Sequence, residues 1–336
     1  MTTPPTTSSP LRDAILSQLA LAQAPVSGAR LADELGISRA AVWKHIHALQ
    51  QKGVRIEAIG GKGYRLASDT FNAKALIQRL DKLIPNRLVG KRCVVLDETD
   101  STNSVAMRMA MEEAAPEGTV IFAHRQTKGR GRLGRVWHTM PEAALAFSLI
   151  LRPKLPPEHV TQLPLMAAVA VHHALQPLLP HLGIKWPNDL LCNGKKLAGI
   201  LAEMRAEPGH IHAVVLGIGI NIRAPESGWP ADIAQPATDL CSESGKSVSR
   251  LDIAARLIAS LDECYNELIC NGFEGLRERW WNAHAFTNQQ VRVLQGDGYI
   301  KGIAAALDSD GALLLETSKG LERVVAGDLE AGGGNT

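Results

Sequence analysis

Three apolar runs in the middle of the chain most narrow what it can become. Residues 184–191, 196–203 and 214–221 are each of strand length and rich in branched aliphatic residues, which predicts strands of one sheet. Cys192-Asn193-Gly194-Lys195 lies between the first two, and Asn-Gly between apolar runs is the chemistry of a two-residue hairpin turn. Polar groups break the pattern: Lys185, Asn188 and Asp189 in the first run and Lys196 in the second. A lysine in an apolar strand is costly to bury unless an anion faces it, although either one alone is also explained by a side chain snorkelling from a strand end. In the third run Gly217 and Gly219 suggest close approach of a ligand or of another backbone. They form no dinucleotide fingerprint, because no helix with a third glycine follows.

Upstream lies Arg125-Gln126-Thr127-Lys128-Gly129-Arg130-Gly131-Arg132-Leu133-Gly134-Arg135, closed by Trp137, with basic residues and no carboxylate. Such a loop repels itself, and glycine-rich backbone whose N–H groups converge is a common cradle for phosphate or carboxylate. A solvated basic loop or a nucleic-acid contact fits the charge equally well. Residues 120–123 read as the strand entering the loop and 144–151 as the strand leaving it. Residues 94–96 read as another buried strand, followed by Asp97-Glu98-Thr99-Asp100-Ser101-Thr102-Asn103 and a helix through Met107 and Met111. Those short polar side chains either cap the helix, with Asp100 or Ser101 in that role, or read one end of a small polar ligand.

At 336 residues the chain exceeds one ordinary core and suggests two or three domains. A net charge of +2 is too mild for a general polyanion binder, so nucleic-acid affinity has to come from a local patch. No run of about eighteen apolar residues exists, which argues against a membrane span. Five cysteines without Cys-x-x-Cys spacing point to reduced thiols in a cytoplasm and away from a structural zinc site. Residues 1–10 read as a disordered Thr/Pro/Ser tail, not a signal peptide.

The basic patch is expected in residues 11–67. Leu11, Ala14, Ile15 and Leu19 recur at helical spacing; Ser27 caps a second helix that stops at Gly36, and Ser38 caps a third from Arg39 to Gln50. On the third, Val42, Ile46 and Leu49 share one face, with Ala40, Lys44, His47 and Gln51 opposite. Short strands at 53–56 and 64–66 surround the tip Gly60-Gly61-Lys62-Gly63. Helix, tight turn, recognition helix and basic-tipped hairpin arrive in the order of a winged helix-turn-helix, and Ser38, Arg39, Ala40, Lys44, His47 and Lys62 are the expected DNA contacts. A small domain for dimerisation or ligand sensing is the alternative. His45 and His47 have no Cys or acidic partner at metal-ligand spacing. A linker is expected at 68–84, including a helix over 72–83, and a catalytic domain at 85–285. Within it a helix over 160–179 is limited by Pro164 and Pro177, with His172 and His173 as ordinary helix residues; 223–250 is loop-rich and 251–268 is an amphipathic helix. Alternating runs at 291–294, 300–307 and 312–315 predict a small C-terminal barrel-type β domain over 286–336, with Gly332-Gly333-Gly334 frayed at its end.

Taken in order, Asp100-Ser101-Thr102-Asn103, Gln126, Gly129-Arg130-Gly131-Arg132-Leu133-Gly134-Arg135-Val136-Trp137, Lys185-Trp186-Pro187-Asn188-Asp189, Lys196-Leu197-Ala198-Gly199-Ile200-Leu201 and Gly217-Ile218-Gly219-Ile220-Asn221 closely resemble the family of bifunctional biotin protein ligases and biotin operon repressors. The resemblance extends over nearly the whole chain. It implies an α+β multidomain protein: N-terminal winged helix-turn-helix, central α/β biotin/lipoate ligase-like domain and C-terminal SH3-like β-barrel. It implies adenylation of biotin with ATP and Mg²⁺, then transfer to a lysine of a biotin carboxyl carrier protein. By matching motif, Ser101, Thr102, Asn103, Gln126, Gly129, Arg130, Gly131, Arg132, Lys196 and Gly199 are the biotin side, and Trp137, Asn188, Asp189, Gly219 and Asn221 the nucleotide side. It further implies that biotinoyl-AMP acts as corepressor, driving a homodimer onto operator DNA.

The chemistry agrees. Carboxylate attack on a phosphate joins two anions, so fixed positive charge is needed and no protein nucleophile. Arg132, Lys185 and Lys196 supply that charge, and Asp189 offers a magnesium ligand or water anchor and a candidate base for the carrier lysine. Leu133 departs from the family pattern, where another basic residue is frequent, and residues that fold over adenine within 223–250 cannot be named from sequence. A biotin- or metabolite-sensing transcription factor without turnover is the alternative from another class. Lipoate or octanoyl transfer is a third, although by resemblance such enzymes lack this loop and the winged domain.

Overall fold

A computed structural model describes residues 10–22, 25–51, 54, 56–66, 71–139, 143–207, 210–225, 228–230, 233, 235–246, 248–296 and 298–332. It divides the chain into one compact unit of residues 1–79 with 249–251 and a second of 80–248 with 252–336. Of the tail expected at 1–10, residues 1–9 lie outside the described residues and Pro10 opens the first helix; the linker residues 68–70, and Gly53, Arg55, Gly333 and Gly334, also lie outside them.

In the first unit α1 (Pro10–Leu21), α2 (Gly28–Leu35) and α3 (Arg39–Gln51) enclose Ile15, Leu31, Val42, Ile46 and Leu49. The helix ends follow their sequence signals. Ser27 Oγ accepts from Arg30 N at 3.1 Å, Gly36 adopts φ 65°, and Ser38 Oγ accepts from Ala41 N at 3.2 Å. β1 (Ile56–Ile59) and β2 (Gly63–Leu66) pair antiparallel, with Ile56 opposite Leu66. Of the strand expected at 53–56, Ile56 begins β1, whereas the Val54 N–H donates to Leu49 O at 3.0 Å at the end of α3. Arg39, Ala40, Lys44 and His47 are exposed on α3, and Lys62 is exposed at the hairpin tip. Trp43 joins them, 59% exposed, its ring stacked on His47 at 5.3 Å.

After α4 (Ala73–Leu83), capped by Asn72 Oδ1, the second unit builds a seven-stranded sheet. Its elements are β3 (Cys93–Thr99), α5 (Thr102–Met111), β4 (Val120–Gln126), β5 (Ala144–Leu151), α6 (Gln162–Leu175), β6 (Leu182–Lys185), β7 (Asp189–Cys192), β8 (Lys195–Glu207) and β9 (His210–Asn221). The strand order is β3-β4-β5-β9-β8-β7-β6; β3 and β4 run parallel and every other pair antiparallel. All of β5 is buried, as its uninterrupted apolar run requires. The run at 184–191 is two strands, not one. Pro187 has no N–H for a ladder, the chain reverses there, and Lys185 comes to face Asp189 across the new hairpin. The Asn193-Gly194 turn is as expected, with φ of 50° and 75° and Cys192 opposite Lys195. Beyond it the β7–β8 register shifts: Leu191 faces Lys196 but Leu190 faces Ala198, so Leu197 is an extra, bulged residue.

The helix expected at 160–179 is shorter. A 3₁₀ turn at Pro157–His159 precedes α6, Pro164 falls in the first helical turn where no N–H partner is lost, and α6 ends before Pro177. Region 223–250 contains α7 (Leu240–Ser244), capped by Asp239 Oδ1, and α8 (Arg250–Asn271) and α9 (Glu274–Asn282) follow. The C-terminal part is a five-stranded antiparallel sheet of β10 (Gln290–Gln295), β11 (Gly298–Leu307), β12 (Leu313–Thr317), β13 (Gly320–Val324) and β14 (Asp328–Ala331), ordered β13-β12-β11-β10-β14. β13 and β14 are short, charged edge strands that alternation alone misses. Trp186 Nε1 donates to Gly311 O at 3.1 Å and Gln162 Nε2 to Ser309 O at 3.1 Å, tying this sheet to the β6–β7 corner and to α6.

Beside α9, His284 is stacked on Trp280 and Trp281, at 5.0 and 5.2 Å, and neither ring nitrogen has a partner among the described residues. Burial lowers its pKa to about 4. The unfolded chain therefore takes up a proton near the ordinary histidine pKa while the fold does not. Stability is full above about pH 6.5 and falls, by up to about 3 kcal/mol, as the pH drops towards 4. His284→Phe is expected to flatten that part of a melting-temperature profile against pH; an unchanged acid slope would contradict the assignment.

Candidate active site

The register of the sheet lays out the floor. Ala123 on β4 faces Ala146 on β5, Ala146 faces Gly219 on β9, Gly219 faces Gly199 on β8, Gly199 faces Asp189 on β7 and Asp189 faces Lys185 on β6. A row of minimal side chains thus runs across four strands and ends on a carboxylate and an ammonium. Above it is a cavity of about 370 Å³.

At the charged end Lys196 Nζ lies 2.7 Å from Asp189 Oδ1, and Asp189 is 8% exposed. Gln235 bridges the other two groups: its Nε2 donates to Asp189 Oδ2 and its Oε1 accepts from Lys185 Nζ, each at 2.9 Å. Burial lowers the Lys185 pKa, opposed by the nearby Asp189. Lys185, Lys196 and Arg132 meet only Asp189 and Asp328 as counter-charges here, an excess of positive charge that suits an incoming anion.

The other end is neutral and hydroxyl-rich. Gln126 Oε1 accepts from Thr102 N at 2.7 Å and from Thr102 Oγ1 at 3.1 Å, while its Nε2 donates to Thr139 Oγ1 at 2.9 Å. Ser148 Oγ lies 2.7 Å from Thr102 Oγ1 and 2.5 Å from Asn103 Oδ1. Ser101 stands at the start of α5 but its side chain makes no cap bond, and Asp100 Oδ1 accepts from the Ser101 N–H instead. The capping account of this segment fails for Ser101, leaving its buried hydroxyl facing the cavity.

The basic loop closes over the floor from β4. Trp137 lies across Gly219 and Gly199: a Cβ at Gly219 would stand 2.3 Å from Trp137 Cε2, and one at Gly199 would stand 3.3 Å from Trp137 Cζ3. At Gly217 the close neighbour is Asn103 Oδ1, 2.3 Å from a would-be Cβ. The glycines of β9 therefore make room for two side chains of this protein, where the sequence suggested a ligand or a backbone. The Trp137 indole N–H is buried without a partner among the described residues, a donor still to be satisfied. Arg132 reaches Asn188 Oδ1 at 3.2 Å, Gly327 O at 3.4 Å and Asp328 at 3.7 Å, and Arg135 pairs with the same Asp328. Burial lowers the Arg132 pKa, opposed by Asp328 and Asp189. Leu133 at the loop tip is 74% exposed with φ 55°.

Ser101, Thr102, Asn103, Gln126, Arg130, Gly131, Arg132, Trp137, Lys185, Asn188, Asp189, Lys196, Gly199, Gly219 and Asn221 all line this one cavity. Gly129 does not. It is held by the backbone, since a Cβ there would stand 2.2 Å from Trp137 O. Asn188 and Asn221 spend their amides on the protein: Asn188 Nδ2 donates to Ile200 O at 2.6 Å, and Asn221 Nδ2 to Thr238 O at 3.0 Å. Gln235, Ser148, Asp328, Trp229 and Ile233 also reach the site or its lining and escaped the sequence reading. Gln235, Trp229 and Ile233 sit in aperiodic sequence, and only the fold brings Asp328 here.

A model of the biotin/lipoate A/B protein ligase family matches residues 95–221, one of an HTH domain residues 12–65, and one of the biotin protein ligase C-terminal domain residues 286–330. The bifunctional ligase/repressor BirA of Bacillus subtilis (strain 168) is 37% identical over 311 residues, covering 91% of this chain and 94% of its own. The chain belongs to the bifunctional biotin ligase/repressor family. Its Escherichia coli (strain K12) member is 34% identical over 86% of this chain and 88% of its own. The biotin protein ligase of Aquifex aeolicus, solved with biotin and ATP, superimposes with a TM-score of 0.62 at 30% identity, covering 71% of this chain and 98% of its own. Members of the bifunctional family combine a ligase with a repressor, and this chain carries the matching HTH, ligase and C-terminal domains in that order. Among the described residues no helix is long and apolar enough to cross a membrane.

Proposed function

We propose that this chain is an ATP-dependent biotin protein ligase that adenylates biotin, transfers it to a lysine of a biotin carboxyl carrier protein, and represses transcription through its helix-turn-helix. The observation that carries this reading is the row of small residues ending on Asp189 and Lys185, with Lys196 and Arg132 beside it. The neutral end, with Ser101, Thr102, Asn103 and Gln126, takes the ureido ring, and the charged end takes the carboxylate and the phosphate. A carboxylate oxygen of biotin attacks the α-phosphorus and pyrophosphate leaves. Lys196, Lys185 and Arg132 hold both anions and the charge that develops between them. Trp137 and the lining residues Trp229 and Ile233 form the nucleotide side. In the second step the carrier amine gives up a proton, with Asp189 as candidate base, attacks the acyl carbon, and AMP leaves.

Among the described residues no three His, Cys, Asp or Glu side chains converge to hold a metal ion. Asp189 Oδ2 accepts from Gln235 and Oδ1 faces the Lys196 ammonium, so Asp189 would serve as an anchor for the hydration shell of a magnesium ion brought by the nucleotide phosphates. Bound there, magnesium neutralises phosphate charge. Ligand-dependent homodimerisation, operator binding and a cytoplasmic location complete the reading.

Biotin-dependent exchange of labelled pyrophosphate into ATP tests it. The expected result is exchange that requires biotin; folded protein without exchange would favour a sensor lacking turnover. For the repressor half, Arg39→Ala with Lys44→Ala is expected to weaken operator binding about tenfold and to flatten its salt dependence, because both side chains are exposed on α3. Exchange activity should stay at the wild-type level. Unaltered operator affinity of the double variant would reject the DNA-contact assignment.

A further inference from the structure

Glu203 lies on β8 outside the cavity lining, and one of its oxygens does two things. Oε2 accepts from Asn103 Nδ2 at 2.7 Å and from Arg130 Nη2 at 2.8 Å. An ionised carboxylate can only accept, whereas the Asn103 amide has a donating and an accepting end. Glu203 therefore draws the NH₂ of Asn103 to itself and turns Oδ1 towards Ser148, 2.5 Å away. Ser148 has one hydroxyl proton, and Oδ1 takes it. With that proton committed, the 2.7 Å contact between Ser148 Oγ and Thr102 Oγ1 needs the Thr102 hydroxyl as donor, whose single proton is then shared with Gln126 Oε1, 3.1 Å from Thr102 Oγ1. Ser148 and Asn103 thus donate in one direction, and the chain ends on Glu203.

We propose that Glu203 is a positioning residue that sets the hydrogen-bond direction of the ligand pocket. It makes the buried Asn103 present an oxygen, and so favours a ligand head that carries N–H donors, such as a cyclic urea, over an acyl chain that has none. The same oxygen holds Arg130 of the basic loop in place before ligand arrives. The inference rests on the ligase reading. An exposed ion pair contributes about 0–1 kcal/mol, so the effect falls on ligand selection and loop order, not on fold stability.

The test is pyrophosphate exchange with Glu203→Gln, read as biotin KM and kcat separately, with octanoate as a competitor that lacks N–H groups. Biotin KM is expected to rise about tenfold, with kcat within about threefold of wild type and octanoate inhibition unchanged. Trypsin cleavage after Arg130 in the ligand-free protein should become faster. Asn103→Asp places two acceptors against each other and is expected to raise biotin KM by at least as much; adding Glu203→Gln restores a donor and should bring KM back to within about threefold of wild type. Unchanged biotin KM in Glu203→Gln, an equal loss for biotin and octanoate, or no restoration in the double variant would each overturn the proposal. A wild-type protein without biotin-dependent exchange would instead remove the ligase reading on which it rests.

Discussion

Lys196→Ala is expected to lower biotin-dependent pyrophosphate exchange by about 10²–10³-fold, the loss typical of removing one fixed group that stabilises developing charge. Lys196 Nζ sits 2.7 Å from Asp189 Oδ1 and 5.7 Å from the centre of the Trp137 ring, at the crossing of the acidic and aromatic walls. Removing it withdraws positive charge from the place where two anions must meet and leaves a nearly buried carboxylate without its ion partner. Lys196→Arg should recover little, because a planar guanidinium cannot take the place of a compact ammonium against Asp189. Exchange within tenfold of wild type in Lys196→Ala would show that Lys185 and Arg132 suffice.

The second large effect is steric. A Cβ at position 217 would stand 2.3 Å from Asn103 Oδ1 and 2.9 Å from its Cγ, and Asn103 is already tied to Glu203 and Ser148. Overpacking of this kind costs about 1–3 kcal/mol, so Gly217→Ala is expected to weaken biotin binding by roughly 10–100-fold, measured by titration calorimetry. Gly199→Ala is the control. Its nearest neighbours are the flexible end of Lys196 at 3.1 Å and the edge of Trp137 at 3.3 Å, and a loss of a few-fold is expected. Equal biotin affinity in Gly217→Ala and wild type would mean that Asn103 gives way freely.

How much of this was legible depended on how local the physics is. Ser27, Gly36, Ser38 and the Asn193-Gly194 pair each act on backbone within four residues, and each does what its chemistry predicts. The basic loop and the two lysines announced an anion because burying charge is costly wherever it occurs, and they do line one cavity. The break at Pro187 was harder to read, since an apolar run looks the same whether one strand or two produce it. Gln235, Glu203 and Asp328 lay beyond sequence reasoning altogether. Gln235 and Asp328 matter only through partners brought close by the sheet or by β14, and nothing near Glu203 distinguishes it from any exposed strand carboxylate.

The bulge at Leu197 has a consequence for how this site tolerates change in length. Lys196 and Gly199 are an odd number of residues apart, and in a regular strand their side chains would point to opposite faces. The extra residue resets the phase, so that Lys196 Nζ stands 3.2 Å from where a Gly199 Cβ would be, and Gly199 rather than Ala198 lies opposite Asp189. Deleting Leu197 would remove one buried aliphatic side chain yet leave Lys196 and Gly199 two residues apart, on one face and still opposite Leu191 and Asp189. A residue removed just beyond Gly199 would instead act as a frameshift written in space and turn the following part of β8 to the other face.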